Sequence, residues 1–527
     1  VINDFTILMG QNVGTINTIP STTYNTGLTQ VYYASTFAFT GIVAGDWLGV
    51  TLQTPFAYDP SQSLVIDLNT TSTTSGNSIG YVTTTGLNQR LYGPIANPTG
   101  TSGTGLLHVG FDVIPASACI DPPNPGTAQA SASSVCSGSQ VTLNLQGNST
   151  GLSQTYQWES STTPGTGFSP VSGVLNSPFF QLNQTTSQYY RCQVTCGATS
   201  LPSTEVYVSS PPLFPGGSYT IDFNTPTGGS NFQTFTEAVS AISCGIAGPI
   251  DFTVTNGTYN EQISLPSTIG SSALNTVTFN CNNSTLSFAS ADANKRYVLQ
   301  LNGADYITFN DLVINATGTT TTNYGWGIHL TGGADNNSFN TCVVNTNAGT
   351  PANSINLYYP LVINGSGTVA LTGGPSGSNN SFLDCTMNGG YNGVILNGTG
   401  VGTEAQNNTF INTQVKDFYQ YGYQMLYQRG VYISGSDISR PTKNVVTTTS
   451  GIFISTGCLN SLVENNRVHN LFDGLTTSTS ACYPLYCIAD ATLSEPNRFI
   501  NNIINNINNT GINYGIYNAG GDYMNAY

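Results

Sequence analysis

The chain has 527 residues, of which 7% are charged; 10 Lys and Arg stand against 25 Asp and Glu, for a net charge of −15. Soluble intracellular proteins carry roughly 25% charged residues, and so sparse a basic complement argues against nucleic acid or an anionic membrane surface as partner. No apolar run of about 18 residues occurs, so no helical membrane span is expected, and 39% hydrophobic content with regular alternation argues against disorder.

Residues 1–115 read as a β-sandwich of jelly-roll type. Leu48, Val50 and Leu52 alternate with polar neighbours, as do Leu64, Ile66 and Leu68, and the turn YDPSQS at 58–63 separates the two runs. Leu107, Val109, Phe111 and Val113 make a closing strand with His108 facing outward. The G-x-S-x-G match at 76–80 lacks the strand–turn–helix setting of a nucleophile elbow, so Ser78 reads as a turn residue.

Residues 119–210 form a second sandwich, with four of the 11 cysteines around it. Such clustering suggests two disulfides and an oxidising, extracellular or cell-surface location. The three histidines lie far apart and only Cys192 and Cys196 are close, so a metal centre is not expected. Cys136 is followed by VTLNL, Trp158 sits in YQWESS, and Tyr190 precedes Cys192 by two residues in YYRCQVTC. This order resembles immunoglobulin-like modules of large secreted surface proteins of Bacteroidota, which are often exported by the type IX pathway. The resemblance implies a Cys136–Cys192 bridge between the sheets with Trp158 packed on it, and leaves Cys119 and Cys196 as a second staple.

A Pro/Gly linker, SSPPLFPGGS at 209–218, marks a boundary. The next element is a helix: Thr234 and Glu237 make a capping-box pair, Phe235, Ala238, Val239 and Ile242 recur at helical spacing, and Gly245 follows as a stop. Helices of this kind plug the open end of a β-helix, where strand edges would otherwise be exposed.

From residue 297 onward one six-residue unit repeats: FNDLVI (309–314), FNTCVV (339–344), FLDCTM (382–387), FINTQV (410–415), ISGSDI (433–438), VENNRV (463–468) and FINNII (499–504). The spacing between units varies while the unit is constant, as in a solenoid whose loops leave one corner. Residues 216–527 are therefore expected to form a right-handed parallel β-helix. Phe309, Phe339, Phe382, Phe410 and Phe499 should stack, interrupted by Ile433 and Val463, with Ile314, Val344, Met387, Val415, Ile438, Val468 and Ile504 as a second ladder. Asn412, Asn465 and Asn501 should be bend residues bonded along the stack. Cys342 and Cys385, on the same rung position of consecutive units, should be either buried thiols or a cross-coil disulfide, with buried thiols the favoured reading. The stretch GPIDFTVTNGTYNEQISLP (248–266) resembles the entry coil of pectate-lyase-like and pectinesterase-like β-helix proteins. Val1 and Tyr527 both fall in strand-like sequence, so the chain is expected to be an interior segment of a longer precursor, its solenoid incomplete at the C-terminal end.

Charge is densest from Arg429 through Asp437, Arg440 and Lys443 to Glu464, Arg467, His469 and Asp473. Asp437 and Arg467 occupy the fifth position of consecutive units, which makes them the candidate catalytic pair; an ordinary exposed ion pair explains them as well. Polysaccharide cleavage on such a scaffold would use a basic residue as proton acceptor and calcium as cofactor. Tyr358, Tyr359, Tyr419, Tyr421 and Tyr423 either stack on sugar rings or simply pack between strands and loops. The expected function is that of an extracellular structural or adhesive protein, with glycans, other surface proteins or copies of itself as partners and with polysaccharide lysis or hydrolysis as the alternative.

Overall fold

The computed structural model describes residues 2–12, 28–37, 50–58, 63–70, 72–73, 81–84, 90–92, 101–103, 105–107, 118–445 and 447–527. The expected turn residues at 59–62, Ser78, Leu48, His108 and the strand through Val109–Val113 lie outside them. The described chain divides into two compact units, Val1–Pro212 and Leu213–Tyr527.

In the first unit, Ile2–Asn12 pairs antiparallel with Thr29–Phe37, Ser63–Asn69 and Ser72–Thr73. Phe5, Ile7, Met9 and Val31 are buried there, with Val50, Leu52, Leu64 and Ile66 packed against them. Val50 and Leu52 reach this core as irregular chain, not as a strand. Residues 127–208 make a two-sheet antiparallel sandwich: Phe180–Asn183, Gln140–Gln146 and Thr127–Ala130 face Ser169–Pro170, Thr155–Ser161, Gln188–Cys196, Thr199–Pro202 and Val206–Val208. Trp158 is wholly buried and donates its indole N–H to the Pro178 carbonyl at 2.7 Å.

Cys119 and Cys196 are bridged, with Cα atoms 5.9 Å apart, as expected. The Cys136–Cys192 bridge does not form: Cys192 is a free thiol. Cys192 lies mid-strand opposite Trp158, at the centre of the core, and burial pushes its pKa up to about 12. Cys136 sits four residues before the strand that begins at Gln140, where Ser139 N–H bonds to its carbonyl in a turn. The inward positions of that strand are Val141, Leu143 and Leu145, so the sheet-to-sheet contact at the level of Cys192 is made by aliphatic carbons.

The second unit is a parallel β-helix. Three parallel sheets of 12, 9 and 9 strands run its length among the described residues, each coil contributing one strand to each sheet in its regular part. The predicted ladder is the observed register: Phe309 pairs with Phe339, then Phe382, Phe410, Ile433, Val463 and Phe499. The stack extends two coils further back than the repeat revealed, through Phe279 to Phe252, with ring centroids 4.7–5.6 Å apart down to Phe410. The second ladder holds likewise from Ile314 to Ile504.

Between these two strands of each coil the chain turns through one left-handed residue: Asp311, Thr341, Asp384, Asn412, Gly435, Asn465 and Asn501 all have φ between 51° and 66°. Asn and Asp tolerate that conformation best among residues with a Cβ. Asn412 donates its amide to the Asp384 carboxylate at 3.1 Å, so the corner is also tied between coils. Cys342 and Cys385 are buried free thiols, as are Cys281, Cys458, Cys482 and Cys487. Where the third sheet begins, Gly327, Gly393, Gly422 and Gly451 precede its inward residues. A Cβ on each would fall within 2.7 Å of the second-ladder side chain Val344, Val415, Ile438 or Val468. Glycine is required there because the ladder already fills the space.

The helix forms at Phe235–Ala241 with Thr234 as N-cap, its hydroxyl accepting from Glu237 N–H at 3.1 Å. Glu237 returns the bond to Gln233 N–H, one residue before the cap. Phe235, Ala238, Val239 and Ile242 join the same core as the coils, and Phe235 meets Tyr259 edge-on at 5.0 Å.

Candidate functional site

The charged stretch singled out from the sequence separates into distinct places. Asp437 and Arg467 are paired in register, as expected. The Asp437 carboxylate, however, bonds His469 Nε2 at 2.9 Å, while Arg467 Nε donates to the Asn505 side chain one coil onward. Side chains at the fifth position stand outside the sheet, so a long arginine reaches along the stack while the shorter His469, two residues further on, meets the carboxylate. Arg429 is held by Glu495 through Nη1 at 2.7 Å and by Glu404 through Nη2 at 3.4 Å. Arg440 is fully buried between the rings of Phe418 and Phe472, and burial lowers its pKa to about 10. Lys443 is buried too, donating to the Ala348 carbonyl at 2.6 Å. No group of three or more His, Cys, Asp or Glu is placed to hold a metal ion among the described residues.

The outer face of the third sheet carries a more continuous arrangement. At its N-terminal half, Tyr297, Trp326, Tyr359, Val362, Ala370 and Ile395 form a covered apolar cluster outside the solenoid core. His329 lies beside it, with Gln300 Nε2 at 3.0 Å from Nδ1 and Asn364 Oδ1 at 3.0 Å from Nε2. Gln300 donates and Asn364 Oδ1 accepts, so the neutral ring carries its proton on Nε2. Burial pushes its pKa down from 6.5 to about 4. The unfolded chain therefore takes up a proton near pH 6.5 that the folded chain refuses until about pH 4. The stability that neutral His329 contributes is present above pH 6.5 and is lost as pH falls between those values, by about 3 kcal/mol. Thermal melts at pH 7 and pH 4.5 check this: His329→Gln should lose less of its midpoint than the unmodified protein, and equal losses would refute it.

Toward the C-terminal half the same face becomes an aromatic strip open to solvent. Tyr421, Phe453, Tyr486 and Tyr517 follow one another across four coils, with centroids 5.0, 4.4 and 5.4 Å apart. Tyr483 and Tyr514 lie alongside, 4.7 and 5.0 Å from Tyr517. Phe453 is buried, the flanking tyrosines are half-buried, and Tyr514 is exposed. Sheet geometry sets the spacing of Phe453, Tyr486 and Tyr517, which pair in register, because equivalent residues of stacked strands stand about 4.8 Å apart. Tyr421 reaches the row from three residues out of register, since Gln424 is the residue paired with Phe453. Of the tyrosines singled out from the sequence, Tyr358, Tyr359 and Tyr423 are fully buried packing residues, while Tyr419 and Tyr421 are half-buried. Phe453, Tyr483, Tyr486, Tyr514 and Tyr517 were missed. Their signal is the aromatic pair three residues apart in YPLY (483–486) and YGIY (514–517), at the same place in consecutive coils.

Comparison with known proteins places residues 124–211 in the pattern of a family described as a domain of unknown function, DUF8696. No curated protein matches the chain. Among solved structures, the enzymatically active domain of tailspike protein 2 of bacteriophage CBA120 is similar at 12% identity and a TM-score of 0.32, over 60% of this chain and 44% of that one. This chain thus spans less than half of the tailspike chain. An alginate lyase from Paenibacillus sp. str. FPU-7 is similar at 13% identity and a TM-score of 0.31, over 55% of this chain and 97% of that one.

Proposed function

We propose that the protein is an extracellular or cell-surface structural or adhesive protein whose solenoid contacts a glycan chain along the tyrosine strip of its third sheet. The observation that carries this reading is the row of contacting rings on the outer face of the third sheet, Tyr486 and Tyr517 in its strands and Tyr483 and Tyr514 just before them, half-buried apart from the exposed Tyr514. A ring face is apolar and its phenol edge polar, which matches a sugar: C–H groups on the face, hydroxyls at the rim. Rings already held by neighbouring rings lose little freedom on binding. The acidic surface, at a net charge of −15, favours neutral or basic chains over polyuronates. A disulfide in the sandwich accords with an oxidising location.

Retention of the full chain on immobilised polysaccharides, neutral and acidic, tests the reading. Tyr486→Ala and Tyr517→Ala should each weaken retention on a neutral glycan about three- to tenfold, without changing the melting temperature by more than a few degrees. Retention unchanged in the double variant would refute the strip as the contact. Polysaccharide cleavage is the second reading, and the Asp437–His469 pair at 2.9 Å is the observation in its favour, since it joins an acid and a base on the outer surface. It would appear in the same experiment as shortened chains in the unbound fraction, with and without calcium.

A further inference from the structure

Two long loops run from the third sheet back to the first near the middle of the solenoid, residues 364–380 after Tyr358–Ile363 and residues 398–408 after Asn392–Asn397. Small residues let the loops close on their neighbours: a Cβ on Gly374 would meet Gly365 Cα at 2.8 Å. Between them lies a cleft of about 180 Å³, whose polar lining is Asp335, Ser376, Ser378, Thr399, Thr403 and Glu404.

The lining is rich in acceptors. Glu404 is buried, takes Gly402 N–H on Oε1 at 2.7 Å, and has its charge offset by Arg429. Asp335 takes Ser378 N–H on Oδ1 at 2.6 Å, and its Oδ2 has no hydrogen-bond partner among the described residues. No cation pairs with Asp335 among those residues; another carboxyl, Asp305, lies beside it and accepts Asp335 N–H at 2.7 Å. Ser376 is almost wholly buried in the wall, yet its hydroxyl bonds to nothing. A buried hydroxyl without a partner costs about 1–3 kcal/mol, so it marks a place where a polar ligand would be favoured.

A ligand suited to this cleft must donate hydrogen bonds and carry positive charge to meet Asp335, while offering hydroxyls to the Ser and Thr side chains. The space admits about one sugar ring. We infer that the cleft binds an amino-sugar unit of a glycan, the protonated amine against Asp335 and a ring hydroxyl against Ser376. This rests on the reading that the solenoid binds glycans, and it names the class of sugar.

Calorimetric titration of the full chain with a glucosamine oligosaccharide, its N-acetylated counterpart and calcium alone tests it. The free-amine oligosaccharide should bind, N-acetylation should weaken it about tenfold, and Asp335→Asn should weaken it to a similar degree. Ser376→Ala should weaken binding as well while leaving the melting temperature of the ligand-free protein unchanged or higher. Equal affinity for the acetylated form, unchanged affinity in Asp335→Asn, or calcium binding that Asp335→Asn abolishes and that excludes the sugar would each overturn the inference. Asp335→Asn should leave retention on neutral glycans intact. Failure of the unmodified protein to be retained on any neutral glycan would instead count against the tyrosine strip alone.

Discussion

Asn380→Leu should destabilise the solenoid by about 3–6 kcal/mol, although leucine matches asparagine closely in size. Asn337, Asn380 and Asn408 are fully buried at the corner before the first-sheet strands of three consecutive coils. Asn380 Oδ1 accepts from Asn337 N–H at 3.0 Å and from Asn337 Nδ2 at 3.1 Å. Its own Nδ2 donates to the Ala334 carbonyl at 2.9 Å and to Asn408 Oδ1 at 3.1 Å. Leucine removes all four bonds. It leaves the Asn337 N–H, one Asn337 amide proton and the Ala334 carbonyl without partners, in a place water does not reach, at about 1–3 kcal/mol each. Asn310 makes a comparable ladder on the outer side, with Nδ2 on Asn280 and Oδ1 under Asn340, both at 2.8 Å, but it is half-buried. Water can replace its partners, so Asn310→Ala should cost about 1 kcal/mol or less. Denaturation followed together with hydrogen exchange at the Asn337 amide separates the two; equal costs for the two variants would mean that the inner ladder is not dry.

Phe382→Ala should cost about 3–5 kcal/mol. Its ring is fully buried and stacked at 5.0 Å on Phe339 and 4.9 Å on Phe410, with planes within 4°. Removing it takes away transfer energy and leaves a void, because the rungs above and below are held by backbone hydrogen bonds and cannot collapse together. Phe382→Leu should recover most of the loss, and Ile433 and Val463 show that the ladder accepts aliphatic side chains at this level. Coils stack as neighbours, so the loss should be concentrated around the altered rung, visible as faster amide exchange in the adjacent coils. A loss under about 1 kcal/mol would contradict the packing.

Both variants act on ladders, and the ladders divide what the sequence revealed from what it withheld. Within the six-residue unit the distance from the first inward residue to the corner and on to the second inward residue is fixed by backbone geometry. Phe309, Asp311 and Ile314 therefore announce their positions locally, and aligning seven such units gave the register of two sheets correctly. Polar residues in that alignment were harder to read. Asn337, Asn380 and Asn408 lie two residues before their phenylalanines in every case, yet nothing in an Asn-rich chain distinguishes a buried amide ladder from surface composition.

Where two side chains meet across loops of unequal length, sequence spacing gave no guide. The Cys136–Cys192 bridge failed because burial in a sandwich depends on where the strand starts, and that strand starts at Gln140. Asp437 found His469 instead of Arg467 because side-chain length and direction, not register, decide which charges touch. The tyrosine strip and the Asp335–Glu404 cleft are products of coil stacking, which brings together residues 30 to 70 positions apart. The apolar interior is written into the chain, since every coil must repeat it to bury its apolar face; the exterior emerges only on folding, because loops that bury little are free to differ from coil to coil, and the surface they make exists only once the coils are stacked.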